Sequence, residues 1–131
     1  MGLFAIITMG KRQDTIFALS TPPGRSAVAV IRISGKNAFE YIKKMSSSMP
    51  QKPNISALNK ILTAEGEIID KTITTFYRAP KSFTGEDMVE VSLHGGNAVI
   101  NKFIDTFKKN KNTRLADPGE FTRRSFENNK L

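Results

Sequence analysis

Cysteine and tryptophan are absent from this 131-residue chain, and histidine occurs once, at His94. Without a thiol there is no disulfide framework, no thiolate zinc site and no cysteine nucleophile, so a reducing, cytoplasmic setting is the expectation. One imidazole excludes histidine-based zinc sites, and a Ser-His-acid triad would have to recruit His94 with no nucleophile-elbow pattern beside it. His94 reads better as a hydrogen-bonded residue supporting the turn into Gly95-Gly96. No catalytic and no metal-ligating residue is assigned. A Gly-rich loop ending in Lys and Ser or Thr is missing too, so nothing in the chain is built to cradle the phosphates of GTP or ATP. Leu3 to Ile7, the only apolar run near the start, falls far short of the roughly 20 residues that a bilayer crossing needs. No membrane partner is expected.

What is present bounds the fold. A chain of 131 residues with 39% hydrophobic content supports one core and is too short for two ordinary domains. Met9 precedes Gly10-Lys11-Arg12, so residues 1–13 read as an N-terminal extension, disordered or the start of a strand, and 14–131 as the domain. Twenty Lys and Arg against twelve Asp and Glu leave a net charge of +8, which favours polyanions such as RNA, or a small molecule with several carboxylates. The basic residues cluster at Lys43-Lys44, Lys108 to Lys111 and Arg123-Arg124. Taken alone, such helix-borne clusters read first as solvated faces.

Along the chain, Thr21-Pro22-Pro23-Gly24 signals a turn, and the β-branched run Val28 to Ile33 after it reads as a buried strand. Ala38, Ile42 and Met45 at helical spacing predict a first helix, with Glu40 and Lys44 paired four residues apart. Ser46 to Ser56 has the composition of a surface loop. Ala64-Glu65-Gly66-Glu67 separates two apolar stretches, Ile61 to Thr63 and Ile68-Ile69, and Thr72 to Tyr77 continues as strand, which predicts a hairpin or meander. Met88 to His94 alternates, placing Val89, Val91 and Leu93 on one face and Glu90, Ser92 and His94 on the other. Val99, Ile100, Phe103, Ile104 and Phe107 form one helical stripe. Asp117-Pro118-Gly119-Glu120 predicts the start of a last helix, with Asp117 capping and Pro118 in the first position. The fold class is therefore α+β, a mixed sheet with about three helices.

Two charges stand out on strands. Arg32 lies in an apolar strand on the face of Val28 and Val30, where a half-buried guanidinium costs several kcal/mol unless an anion pairs with it. Glu90 is the complementary oddity on a second strand. The two could form a structural ion pair, a ligand site, or both. A carboxylate and a guanidinium at the mouth of a sheet can bind a heterocycle of alternating donors and acceptors, the carboxylate reading an amide-like N–H edge.

Several segments then resemble one family together: Asp14-Thr15-Ile16 with Thr21-Pro22-Pro23-Gly24-Arg25, Arg32-Ile33-Ser34-Gly35, Phe83 to Glu90, His94-Gly95-Gly96, and Pro118 to Thr122. The set, which spans residues 14 to 131, resembles the N-terminal domain of the tRNA-modification GTPases MnmE/TrmE. That resemblance implies a fold like the folate-binding modules of the aminomethyltransferase group. It implies homodimerisation through this domain, and binding of a 5-formyl- or 5,10-methylene-tetrahydrofolate near the dimer interface. By motif, Arg32, Glu90 and Lys130 are the implied folate contacts. Lys130, as the penultimate residue, is expected to fray. In full-length relatives the resemblance further implies partnership with an MnmG-type flavoprotein and with tRNA, and GTP, Mg and K bound elsewhere in the chain. This piece is expected to turn nothing over by itself. Two positions depart from the family pattern: Asn97 stands where proline is usual, and Glu127-Asn128-Asn129 replaces Leu-Asn-Gly. The rival readings are a basic RNA-binding module without folate and a pure dimerisation scaffold.

Overall fold

The computed structural model describes residues 14–20, 28–94 and 96–130. The 1–13 extension, the turn at Thr21-Pro22-Pro23-Gly24, Gly95 and Leu131 lie outside them. Among the described residues nine elements follow one another: β1 (Thr15–Leu19), β2 (Val28–Ser34), α1 (Ala38–Lys44), β3 (Ser56–Leu62), β4 (Ile68–Tyr77), β5 (Met88–His94), α2 (Asn97–Phe107), β6 (Thr113–Leu115) and α3 (Glu120–Glu127). The strands make one mixed sheet in the order β3-β4-β5-β2-β1-β6. Every neighbouring pair is antiparallel except β1 with β6, which is parallel. The α+β architecture with three helices is the one the alternating and helical periodicities predict.

Period-two alternation decides which face is buried. Phe17, Ile31, Ile33, Ile61, Phe76, Val89, Val91 and Leu93 turn to the side where α1 and α2 pack, meeting Ala38, Ile42, Phe103 and Phe107 in one cluster. Phe103 and Phe107 are fully buried and stack nearly parallel, centroids 6.0 Å apart. The other face is partly open. Register aligns Ala18, Arg32, Glu90, Thr75 and Ser56 in one row across it, and Val30, Ser92, Ile73 and Leu58 in the next.

Four local features differ from the sequence expectations. Strands β1 and β6 are additional: β1 is short and apolar, and three-residue β6 exists because β1 offers it a free edge. Helix α3 begins at Glu120, later than predicted, because Gly119 sits in the left-handed region at φ 73° and ends a turn rather than continuing a helix. Half of the expected capping box forms, since the Asp117 N–H donates to Glu120 Oε1 at 2.9 Å. The Glu40–Lys44 pair is not made. The Lys44 ammonium lies over the Tyr41 ring instead, 5.1 Å from its centroid.

Sheet edges need cover, and at β3 the segment after α1 supplies it. The Leu62 N–H donates to the Met45 carbonyl and the Ser47 N–H to the Lys60 carbonyl, so the chain between helix and hairpin is tied down at its start.

Candidate functional site

Arg32 and Glu90 are direct register partners on adjacent strands, which puts their side chains on the same face at cross-strand distance. The guanidinium donates through Nε and Nη2 to Glu90 Oε2, at 3.0 and 2.8 Å. The Tyr77 hydroxyl donates to Glu90 Oε1 at 3.1 Å. Neither charged side chain is closed off: about 32% of the Arg32 side chain and 24% of Glu90 remain accessible. Beside them opens a cavity of about 190 Å³ walled by Arg32, Tyr77, Phe83, Met88 and Glu90. The Arg32 guanidinium stands 5.9 Å from the Phe83 ring centroid, within cation–π range. The two charges therefore form the structural pair that the sequence allowed, and they also line a cavity.

A carboxylate offers about four lone-pair directions. Three are occupied here, two on Oε2 by Arg32 and one on Oε1 by Tyr77, leaving one acceptor position on Oε1. Burial raises the Tyr77 phenol pKa above its ordinary value, followed by the repulsion of a phenolate by Glu90 and by the hydrogen bond itself, against a smaller lowering by Arg32. Tyr77 thus stays a neutral donor across the physiological range.

The loop that presents Phe83 is held from behind by α3. Ser125 Oγ donates to the Phe83 carbonyl at 2.6 Å and Asn128 Nδ2 to the Thr84 carbonyl at 2.8 Å. Glu86 accepts from Ser34 Oγ at 2.7 Å and from Arg124 Nη1 at 3.0 Å, and the Ser82 hydroxyl donates to the Glu86 carbonyl. Arg124 is almost fully buried and reaches on to Glu120 at 3.2 Å, while Arg114 clamps Glu120 in bidentate fashion at 2.8 and 2.6 Å and also holds Asp14 at 2.7 Å. Glu120 is wholly enclosed. Burial pushes its carboxyl pKa up, but the hydrogen bonds from Arg114 and the Asp117 amide, with the charges of Arg114 and Arg124, outweigh this and hold it near about 2. Arg124, read from the sequence as part of a solvated basic pair, is instead the central cation of this network.

Lys130 is tied through its backbone rather than frayed. Asn129 takes the left-handed conformation at φ 60°, the Asn129 N–H donates to Phe126 and the Lys130 N–H to Ser125, a Schellman closure with asparagine where glycine is usual. The Lys130 side chain is exposed and borders Gly85: a Cβ there would lie 2.8 Å from Asn128 Cβ and 3.4 Å from Lys130 Cγ. One loop thus contributes Phe83 to the cavity and packs Gly85 against the residues around Lys130. Arg32 and Glu90 are in contact; Lys130 does not line the cavity and lies against Gly85 of that loop.

Phe83 and Met88 are marked in the sequence only as members of the Phe83 to Glu90 motif, with no site role, and Tyr77 by no motif at all, because an aromatic at a strand end or in a polar loop has no distinctive pattern. His94 is exposed; its amide donates to Asp70 Oδ2 at 2.6 Å and its ring Nδ1 lies 3.2 Å from the same oxygen. No group of three or more His, Asp or Glu that could hold a metal occurs among the described residues, and no helix among them is long and apolar enough to cross a membrane.

An open mixed sheet, α1 and α2 on one face and a charged, aromatic-walled cavity on the other, defines an α+β domain with a candidate small-ligand site. Residues 15–130 match the family model described as GTP-binding protein TrmE N-terminus. The chain belongs to that family. It is 49% identical over 117 residues to the mitochondrial tRNA modification GTPase mss1 of Schizosaccharomyces pombe, covering 87% of this chain and 23% of the relative. It is 47% identical over 126 residues to the tRNA modification GTPase MnmE of Fervidobacterium nodosum, covering 91% and 27%, and 42% identical over 119 residues to that of Thermotoga petrophila, covering 91% and 26%. The chain spans about a quarter of the length of these curated relatives.

Proposed function

We propose that this chain is the folate-binding, dimer-forming N-terminal domain of a tRNA modification GTPase, holding a 5-formyl- or 5,10-methylene-tetrahydrofolate at the Arg32–Glu90 cavity. The observation that supports this most is the Glu90 carboxylate, fixed by Arg32 and Tyr77 on a cavity wall with one acceptor position unused. A pterin edge carries adjacent N–H donors, and the free Oε1 position suits one of them. The second donor is accommodated by exchanging the Tyr77 bond, while Arg32 keeps the carboxylate oriented. Phe83 supplies a face for the ring to stack on. Lys130 is assigned to the anionic glutamate end, against the loop that carries Phe83 and Gly85.

The cavity of about 190 Å³ is below the roughly 300 to 1,000 Å³ typical of sites that enclose a whole small molecule. It suits the ring system alone, with the rest of the ligand covered by something else. A second copy is the proposed cover, since Leu58, Ile73 and Val28 are exposed apolar residues on the same sheet face as Arg32 and Glu90. GTP hydrolysis, partnership with an MnmG-type flavoprotein and action on tRNA belong in this proposal to the longer protein.

Titrating 5-formyltetrahydrofolate into the wild-type chain and into Glu90→Ala by calorimetry tests the site. Wild type is expected to bind and Glu90→Ala to lose roughly 2 to 5 kcal/mol, the cost of removing one partner of a buried charged hydrogen bond. Equal affinity in the two proteins, with folding verified by circular dichroism, would sink the assignment.

A further inference from the structure

Lysines from two distant segments come together on the helical layer, where Lys44 and Lys109 share one groove. Lys43 and Lys44 close α1, and Lys109 and Lys111 follow α2. Lys44 and Lys109 line a single open groove of about 250 Å³ together with Tyr41, Met45, Thr106 and Asn110. The Tyr41 hydroxyl donates to the Lys111 carbonyl at 2.9 Å, which fastens the second cluster beside the first. Among the described residues none of these four ammonium groups is in an ion pair; the paired lysines nearby are Lys108 with Asp105 and Lys102 with Glu67.

Lysines at helix C-termini commonly serve to satisfy the last carbonyls and the helix dipole. That role is already filled. At α1 the Ile42 carbonyl accepts from the Met45 N–H and from Ser46 Oγ, and the Lys43 carbonyl from the Ser46 N–H. At α2 the Ile104, Thr106 and Phe107 carbonyls accept from the Lys108, Lys109 and Asn110 N–H groups, and Asn110 Nδ2 donates to Phe107 as well. The Lys44 ammonium lies over the Tyr41 ring and none of the four has a carboxylate partner among the described residues, so an anion entering the groove meets uncompensated positive charge.

We propose that this groove is a contact site for RNA phosphates, with Lys44 and Lys109 as the neutralising cations on its walls and Lys43 and Lys111 adding charge beside them in the chain. The choice of RNA over another polyanion rests on the reading of the chain as part of a tRNA-modifying protein; the convergence of charge does not. Because α1 and α2 cover the sheet face opposite Arg32 and Glu90, the groove is separate from the folate cavity and both can be occupied together.

The test is binding of a fluorescent tRNA transcript to the 131-residue chain by anisotropy over a salt series. Wild type is expected to bind at low salt, and Lys44→Gln/Lys109→Gln to bind about tenfold more weakly with a salt slope shallower by about 1.5, as two lost phosphate contacts require. Lys60→Gln/Lys71→Gln removes the same charge from the other sheet face and should change affinity little. Undetectable wild-type binding, wild-type affinity in Lys44→Gln/Lys109→Gln, or equal weakening by both pairs would overturn the site. Titrating 5-formyltetrahydrofolate into the same samples reports on the Arg32–Glu90 cavity alone, so a failure of the folate reading is seen separately from a failure of this one.

Discussion

Glu90 and Glu120 are both carboxylates gripped by arginine, and their surroundings set them apart. Glu120 has no solvent access, and Arg114, Arg124 and the Asp117 amide together engage both of its oxygens; it has a purely structural role. Glu90 keeps an accessible edge and one open acceptor position. Glu120→Ala would take the shared carboxylate from Arg114 and from the almost fully buried Arg124, leaving them Asp14 and Glu86, and is expected to cost about 3 kcal/mol, measurable as a lowered urea midpoint. The pH dependence follows from the sign of its shift. The folded pKa of about 2 lies below the ordinary 4.5, so its contribution is complete above about pH 4.5 and is lost as pH falls from there toward 2. The amount at stake is roughly 3 kcal/mol, and stability measured against pH in wild type and Glu120→Gln should converge at the acid end. Tyr77→Phe removes one hydrogen bond to Glu90 and is expected to cost about 1 kcal/mol in stability, visible in the same denaturation assay.

At the level of elements, periodicity located most of the framework. Strict alternation in Met88 to His94 and the stripe from Val99 to Phe107 report burial directly, and both elements form as the pattern demands. β6 was not legible, since three residues cannot show a period. The start of α3 was misplaced because Asp-Pro-Gly-Glu carries helix-start chemistry and turn chemistry together, and the left-handed Gly119 decides for the turn. Arg32 and Glu90 were readable as a pair because a charge inside an apolar strand violates the local pattern. Tyr77 and Phe83 violate nothing; register brings Tyr77 to the cavity and the loop held by α3 brings Phe83. The loop from Ser82 to Asp87 joins cavity and helix. Gly85 there has φ 84°, and a Cβ would meet Asn128 at 2.8 Å, so Gly85→Ala is expected to destabilise by about 1 to 3 kcal/mol and to shift Phe83, detectable as altered ring resonances of Phe83 in NMR spectra. Asn129→Val, placing a branched residue in the left-handed cap, should cost about 1 to 2 kcal/mol in the denaturation assay.

On the scale of the molecule, one sheet separates two surfaces. The helical side closes the core and gathers lysines at one groove, while the open side sets a charged row beside an apolar one of Val30, Ile73 and Leu58. If a second copy covers that side, sedimentation should show a dimer that Ile73→Lys weakens without unfolding the chain. The central claim, that the charged row with Tyr77 and Phe83 receives a pterin, is tested most directly by aromatic NMR spectra recorded as 5-formyltetrahydrofolate is added. The largest shifts are predicted at the Phe83 and Tyr77 rings, with Tyr41 and Phe107 on the opposite face unmoved; shifts confined to other residues, or none at saturating ligand, would contradict it.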